Sequence, residues 1–407
     1  MCAALTPQVI RVVKSTAPVL EKHGVTITSH FYKRMLTAHP TLKNIFNSAH
    51  QDTGTQQKAL AHAVWAYAAN IDNLAALGPA VSRIAHKHVS LNVEKEQYAI
   101  VGRHLLASIK EVLGDAATPE ILDAWAVAYQ VLADIFITTE ADLTRAAAEG
   151  AGGWRGWRSF VVDKKVVESS EITSFHLKPK DGSPLPTFVP GQFISLRHYV
   201  PELGVWQPRQ YSLSDSPHPD HFRISVKRED GGPENIPAGK VSTWLHEHVQ
   251  PGSEVQISHP FGDFVLNRDA STPVVLVSGG VGLTPMTSMM KSIISENSTR
   301  PVVFVHSARN PTVQGMKEHL HKVTESGRVD SIVFYTEVSK AELKDAPIDH
   351  KVGLLDLDSI SKRVLLPDAD YFLCGPLGFM AAARNQLAKL GVPQDKIHWE
   401  VFGSTTS

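Results

Sequence analysis

Apolar positions recur with different periods along the 407-residue chain, and the changes of period mark its parts. Up to about residue 150 they return every three to four positions, which places them on one face of a helix. In ILDAWAVAYQVLADIFI, Ile121, Trp125, Ala128, Leu132 and Phe136 form such a stripe on one long helix. Thr6 followed by Pro7 reads as a helix cap and first turn, and Gly24 after VLEKH reads as a helix stop. This pattern predicts an all-α domain over residues 1–149. From Phe160 the apolar positions fall into short β-rich runs divided by turn residues: SFVVDKKVV, ITSFHLKP, GQFISLRHYV, FRISVKRE and SEVQISHP. That spacing predicts an antiparallel barrel or sandwich over 157–269. From Thr272 the runs PVVLVSGG, PVVFVHSA, SIVFYTEV and DYFLCGP alternate with helical segments. The alternation predicts a parallel sheet with helices on both faces over 270–407.

Composition sharpens these boundaries. Residues 1–150 hold 6 of the 27 glycines and 5 of the 25 prolines, as a mainly helical segment should. In AEGAGGWRGW, Gly150, Gly152, Gly153 and Gly156 interrupt any helix, so residues 150–156 are read as a linker. The formal net charge is -1 and the cations are scattered, which argues against a nucleic-acid partner and favours a small or neutral substrate. Cys2 and Cys374 lie far apart, without the spacing of a disulfide framework or a thiolate metal site, so a reducing compartment is expected. The N-terminal residues lack a signal-type pattern and no run of 18 or more apolar residues is found, so a cytoplasmic protein without a transmembrane segment is expected.

Two stretches carry candidate chemistry. In VVLVSGGVGLTPMTSMMKSI an apolar strand runs into Gly279, Gly280 and Gly282 and then into a helix opening at Thr284 and Pro285. Glycines let the backbone approach a ligand, and the free N–H groups of a helix start favour phosphate. In RIAHKHVSL, His86 and His88 are two positions apart and therefore cannot share a helix face. Val81, Ile84, Ala85, His88 and Leu91 make one apolar stripe, which turns His88 inward and leaves His86 and Lys87 outside it, His86 as a solvated side chain.

The order RQYS, SGGVGLTP, CGP and a C-terminal FG resembles the ferredoxin-NADP reductase family over residues 157–407. The resemblance implies FAD and NAD(P)H as cofactors. It implies that Arg209 faces the FAD pyrophosphate, Tyr211 packs on the isoalloxazine ring and Ser212 sits near its reactive edge, with Gln210 on the same strand. Phe193, Val401, Phe402, Gly403 and Ser404 would cover the flavin, with Gly239 to Ser242 near its phosphates. Gly280, Val281, Gly282, Leu283, Thr284 and Pro285 would hold the nicotinamide dinucleotide, and Cys374 would lie near the hydride-donating carbon. The residue types suit the task on their own terms: an arginine answers a pyrophosphate with a fork of donors, and an aromatic ring offers a flat face to a flat cofactor.

Ahead of these motifs, HFYKRML, KNIFN, QQKAL, IAHKH and EQYAIVGRHLL resemble in order and spacing the globin domain of bacterial flavohemoglobins, and with the reductase motifs the match covers nearly the whole chain. The resemblance implies haem b, with His88 as the proximal iron ligand, Tyr32 as the distal tyrosine, Gln56 and Leu60 beside it and Phe46 on the porphyrin. It places Tyr98 and Glu140 behind His88, where a carboxylate on the second ring nitrogen raises the basicity of the ligand. Lys87 and Glu400 become candidates for tuning transfer between haem and flavin.

The activity this implies is nitric oxide dioxygenation: O2 and NO are converted to nitrate with electrons passed from NAD(P)H through FAD to haem. An oxygen or NO sensor, and a flavin reductase whose globin part only mediates interaction, are the competing readings. A monomer is expected. Phe193, Ser404 and Trp399 depart from the family pattern of PGQY, FGP and a tyrosine, which affects details of flavin contact. Arg309 either meets a 2′-phosphate or is an ordinary surface cation, so the choice between NADH and NADPH stays open.

Overall fold

Thr6 caps the first helix as its sequence predicts, its hydroxyl accepting from Val9 N with Pro7 in the first turn. The computed structural model describes residues 4–232, 237–338, 343 and 348–402. Its first part is helical: α1 (Pro7–Ser15), α2 (Ala17–Ala38), α3 (Ser48–Asp52), α4 (Thr55–Ala69), α5 (Gly78–Ser90), α6 (Lys95–Leu113) and α7 (Pro119–Glu149). Val13, Leu20, Ile27, Phe31, Met35, Trp125 and Ala128 form its buried core.

Gly24 corrects the expectation of a helix stop. The first helix ends at Ser15, and Gly24 lies inside α2, where a Cβ would stand 3.3 Å from the Ala61 Cβ of α4. The glycine is a point of close helix approach, which outweighs its intrinsic helix cost of about 1 kcal/mol.

The stripe on α7 is real: Trp125, Ala128 and Phe136 are buried, with Ile121 and Leu132 partly buried beside them. The same helix is long and apolar enough to cross a membrane by length and composition, which the residue run in the sequence does not reveal. Its inward side chains build the helical core.

The second part begins at β1 (Arg158–Val167), followed by β2 (Ile172–Pro179), β3 (Phe193–Val200), β4 (Val205–Ser212), β5 (Phe222–Lys227), α8 (Lys240–His248) and β6 (Glu254–Ile257). The strand order is β4-β3-β6-β1-β2-β5, with β1–β2, β1–β6 and β2–β5 antiparallel. Leu213, just past β4, bridges Ile224 of β5, so the two edges of the sheet meet, as in a barrel.

The third stretch alternates β7 (Val274–Gly279), α9 (Leu283–Ser295), β8 (Val302–Ala308), α10 (Lys317–Glu325) and β9 (Asp330–Tyr335). There follow β10 (Asp349–Val352), α11 (Ser361–Val364), β11 (Asp370–Cys374), α12 (Leu377–Lys389) and β12 (Ile397–Glu400). All neighbours in the order β10-β9-β8-β7-β11-β12 are parallel. β10 and β12 are four-residue edge strands that the apolar pattern does not reveal, because an edge strand buries less and needs no continuous apolar run.

By contact the chain forms two units. The first joins the chain up to Trp157 with Ser195–Arg209, and the second holds Arg158–Ile194 and the chain from Gln210 onward. Gln207 explains part of the first grouping. Its amide accepts from Ser48 N at 2.9 Å and donates to the carbonyls of Lys43 at 3.4 Å and Phe46 at 3.3 Å.

Candidate functional site

His88 lies on α5, Tyr98 on α6 and Glu140 on α7, and one carboxylate oxygen unites them. Glu140 Oε1 lies 2.8 Å from His88 Nδ1 and accepts from the Tyr98 hydroxyl at 2.6 Å. The Tyr98 hydroxyl also stands 3.0 Å from His88 Nδ1. Glu140 is 6 % exposed, so its charge acts in a medium that screens it weakly. With Nδ1 committed to the carboxylate, Nε2 is the ring nitrogen left for another partner. Phe136 packs at 5.6 Å from the imidazole and fixes its plane. Burial, helped by Glu140, raises the Tyr98 pKa, so the phenol keeps its proton and remains a donor.

Sequence reasoning missed what holds Tyr98. The Tyr129 hydroxyl on α7 donates to the Tyr98 carbonyl at 2.6 Å, and its ring occupies the space above Gly102, where a Cβ would lie 2.4 Å from a ring carbon. The isolated glycine inside a helical pattern was the available signal.

Tyr32, one face of α2, is buried against Phe31 and Phe46, with ring centroids at 4.9 and 5.4 Å. Burial raises its pKa, and a hydrogen bond with Gln56 in the first turn of α4 opposes that rise. Tyr32 of α2 and Gln56 of α4 are thus paired across the two helices. Leu60, one turn beyond Gln56, is half-buried at the edge of the helical core.

Lys87 is half-buried, and burial lowers its pKa. His50 is held neutral, at about 4, by burial and then by the cations Lys87 and Arg209. His86, expected in solvent, is half-buried and engaged. Helical phase places it off its own helix's stripe and is blind to what packs there from elsewhere.

On β4, Arg209, Gln210 and Tyr211 are half-buried, and Ser212 is buried with no hydrogen-bond partner for its hydroxyl among the described residues. Phe193 lies beside Gly262, whose Cβ would stand 3.2 Å from the ring. Gly239 is the N-cap of α8, with the Ser242 hydroxyl donating to its carbonyl at 3.1 Å.

Gly280 to Gly282 form a 3-10 turn between β7 and α9, and Leu283, Thr284 and Pro285 are buried in the first turn of α9. Gly280 has φ +54, a conformation that favours glycine, and nothing lies within 4 Å of a Cβ placed on it. A Cβ on Gly282 would lie 2.2 Å from the Cys374 carbonyl oxygen, so this turn is closed against the end of β11. β7 and β11 are where the strand order reverses, the usual place for a ligand crevice in an open parallel sheet. Val281 is half-buried there, and Cys374 is buried, its thiol pKa pushed up by burial and then by Glu400, its register partner on β12. Val401 is half-buried and Phe402 exposed, while Gly403 and Ser404 lie outside the described residues. The Arg309 guanidinium pairs with Glu171.

Three family models match successive stretches: globin over residues 29–136, oxidoreductase FAD-binding domain over 159–266 and oxidoreductase NAD-binding domain over 276–385. A flavohemoprotein of Bordetella parapertussis is 53 % identical over 402 residues, covering 98 % of this chain and 99 % of that protein. Among solved structures, a flavohemoglobin of Malassezia yamatoensis with bound FAD and haem is 29 % identical with a TM-score of 0.83, covering 98 % of this chain and 100 % of that one. The FAD/NAD-binding domain of a nitric oxide dioxygenase of Vibrio cholerae is 36 % identical with a TM-score of 0.53, over 60 % of this chain and 98 % of that one. A helical globin part, an antiparallel FAD-binding part and a parallel NAD-binding part follow one another in the order these relatives share, and the chain belongs to the flavohemoprotein family.

Proposed function

We propose that the chain is an NAD(P)H-dependent nitric oxide dioxygenase, with haem held by residues 1–149, FAD by 157–269 and the nicotinamide nucleotide by 270–407. The observation that carries this reading is the single Glu140 oxygen shared by His88 and Tyr98. An iron ligand whose second nitrogen bonds a buried carboxylate is a strong electron donor, suited to activating oxygen rather than storing it. Residues present fit the groups required. His88 has Nε2 to offer iron, the unpartnered Ser212 hydroxyl suits a polar ring edge such as that of a flavin, and the Gly280–Gly282 turn suits a pyrophosphate.

When bound, haem would supply the centre at which NO and O2 combine to nitrate, and FAD would turn one hydride from NAD(P)H into single-electron steps. The chain's own part is binding, orientation and charge. Glu140 and Tyr98 hold His88 in one orientation. Tyr32, hydrogen-bonded with Gln56, would donate to a ligand bound at the haem, and Leu60 presents an apolar side chain one turn from Gln56. Arg209 and Tyr211 would meet the flavin's phosphates and ring, with Phe193, Gln210, Gly239, Ser242, Val401 and Phe402 around them. Lys87 and Glu400 would set the local potential. The Vibrio cholerae likeness supports the reaction class.

Each nitrate formed from NO and O2 takes up one electron, so one NAD(P)H serves two NO. An absorbance spectrum with NADH, O2 and NO added in turn tests the whole scheme. A haem band, flavin bleaching and sustained NAD(P)H loss matched to half the NO consumed are expected. A single turnover would instead indicate a sensor, and a missing haem band, or one unchanged in His88→Ala, would refute the assignment.

A further inference from the structure

Gln56 sits where a helix is least secure. The N-cap of α4 is Gly54, in the left-handed region with φ 73, and it offers no side-chain cap to the first turn. Uncapped first turns leave their N–H groups to solvent and fray. Yet a partner that must aim Tyr32 has to be held to a fraction of an ångström.

Across from that turn, α2 carries Gly24, Thr28 and Tyr32 at intervals of four, on one face. Each meets α4 in turn. Gly24 admits Ala61 at close approach, Thr28 Oγ1 donates to the Gln57 carbonyl at 2.8 Å, and Tyr32 pairs with Gln56. Threonine inside a helix ordinarily bonds back to its own preceding turn. Thr28 does reach Val25 O, but at 3.2 Å, and the shorter bond crosses to the other helix. Thr28 is 1 % exposed, so this bond does not compete with water. Gln57 is pinned at its other end too, its amide donating to Gln51 O at 3.1 Å.

We propose that Thr28 is a positioning residue of the distal site: its hydroxyl ties the uncapped first turn of α4 to α2 and thereby sets the Gln56–Tyr32 hydrogen bond and the direction of the Tyr32 proton. The inference rests on the reading of Tyr32 as donor to a haem ligand.

Thr28→Val keeps the shape and removes the hydroxyl, Thr28→Ser keeps the hydroxyl, and Tyr32→Phe is the reference. The C–O stretching frequency of the carbon monoxide complex reports a hydrogen bond to the ligand without turnover, and stopped flow gives the oxygen dissociation rate. Thr28→Val is expected to shift the C–O band towards its Tyr32→Phe position and to speed oxygen release roughly three- to tenfold. Thr28→Ser should behave as the unsubstituted protein, and Thr28→Val should add nothing on top of Tyr32→Phe. If Tyr32→Phe shifts both readouts and Thr28→Val shifts neither, the role of Thr28 is overturned. An equal effect of Thr28→Val with and without Tyr32 would overturn it as well, since a general packing defect behaves so. If Tyr32→Phe itself changes nothing, it is the reading of Tyr32 that fails. Should Thr28→Val not load haem, Thr28→Ala takes its place with the same readings.

Discussion

Replacing Glu140 by glutamine changes one charge and almost no volume. The Glu140 oxygen accepts two hydrogen bonds, at 2.8 Å from His88 and 2.6 Å from Tyr98, in a side chain nearly closed to solvent. Glutamine can still accept both bonds, so the fold should survive, and what is lost is the charge assistance. A bond to a charged group contributes about 1.5–3 kcal/mol against about 0.5–1.5 for a neutral pair, a loss of about 1–1.5 kcal/mol at His88. A carboxylate behind the iron ligand favours the more positive oxidation state, so its removal must favour the reduced one. For a one-electron couple, about 59 mV corresponds to 1.36 kcal/mol, and the haem midpoint should therefore rise by roughly 40–65 mV in Glu140→Gln. Spectroelectrochemical titration of the haem band measures it. Tyr98→Phe supplies the sign control: removing a donor from Glu140 concentrates its charge on His88 and should move the midpoint the other way, by less. A midpoint that stays within ~10 mV in Glu140→Gln, or that falls, refutes the proposed role of the carboxylate.

Other expectations follow from the same geometry. Tyr32→Phe should speed oxygen release by roughly ten- to a hundredfold, the worth of one bond to a partly charged acceptor, and an unchanged stopped-flow rate would remove Tyr32 from the distal site. Gly282→Ala drives a Cβ into the Cys374 carbonyl, so a loss of about 1–3 kcal/mol in urea unfolding and a raised KM for NAD(P)H are expected; normal stability would show that the turn is not closed against β11. His306 is buried with its pKa lowered by burial from 6.5 to about 4, and a base depressed in the folded state withholds a proton that the unfolded chain takes up. The contribution of His306 to stability should therefore be full above pH 6.5 and fall by about 3 kcal/mol as pH drops from 6.5 to 4, and a His306→Gln variant whose urea midpoint falls as steeply as that of the unsubstituted protein over that range would contradict this.

Helical and strand periods were legible because burial on one side of an element writes itself into one segment. The stripe through Trp125 and Phe136, five of the six barrel strands and the buried strands of the parallel sheet are all local patterns of this kind. β10 and β12 escaped because edge strands bury little, and Gly24 misled because a glycine that ends a helix and one that lets another helix approach look alike in one segment. His86 likewise departs from its solvated reading, being half-buried and engaged, which the phase of its own helix does not record.

By itself, then, the sequence determined the order of an α part, a β-barrel part and a parallel α/β part, and helical phase put His88 and His86 on different faces of α5. Only the tertiary structure decided that His88 of α5, Tyr98 of α6 and Glu140 of α7 converge on one oxygen, that Tyr129 fills the gap left by Gly102, and that Thr28 reaches across to Gln57. The physical reason is range. Periodicity records which side of an element avoids water, whereas a shared hydrogen bond depends on distances between residues tens of positions apart, and those exist only once the helices have packed.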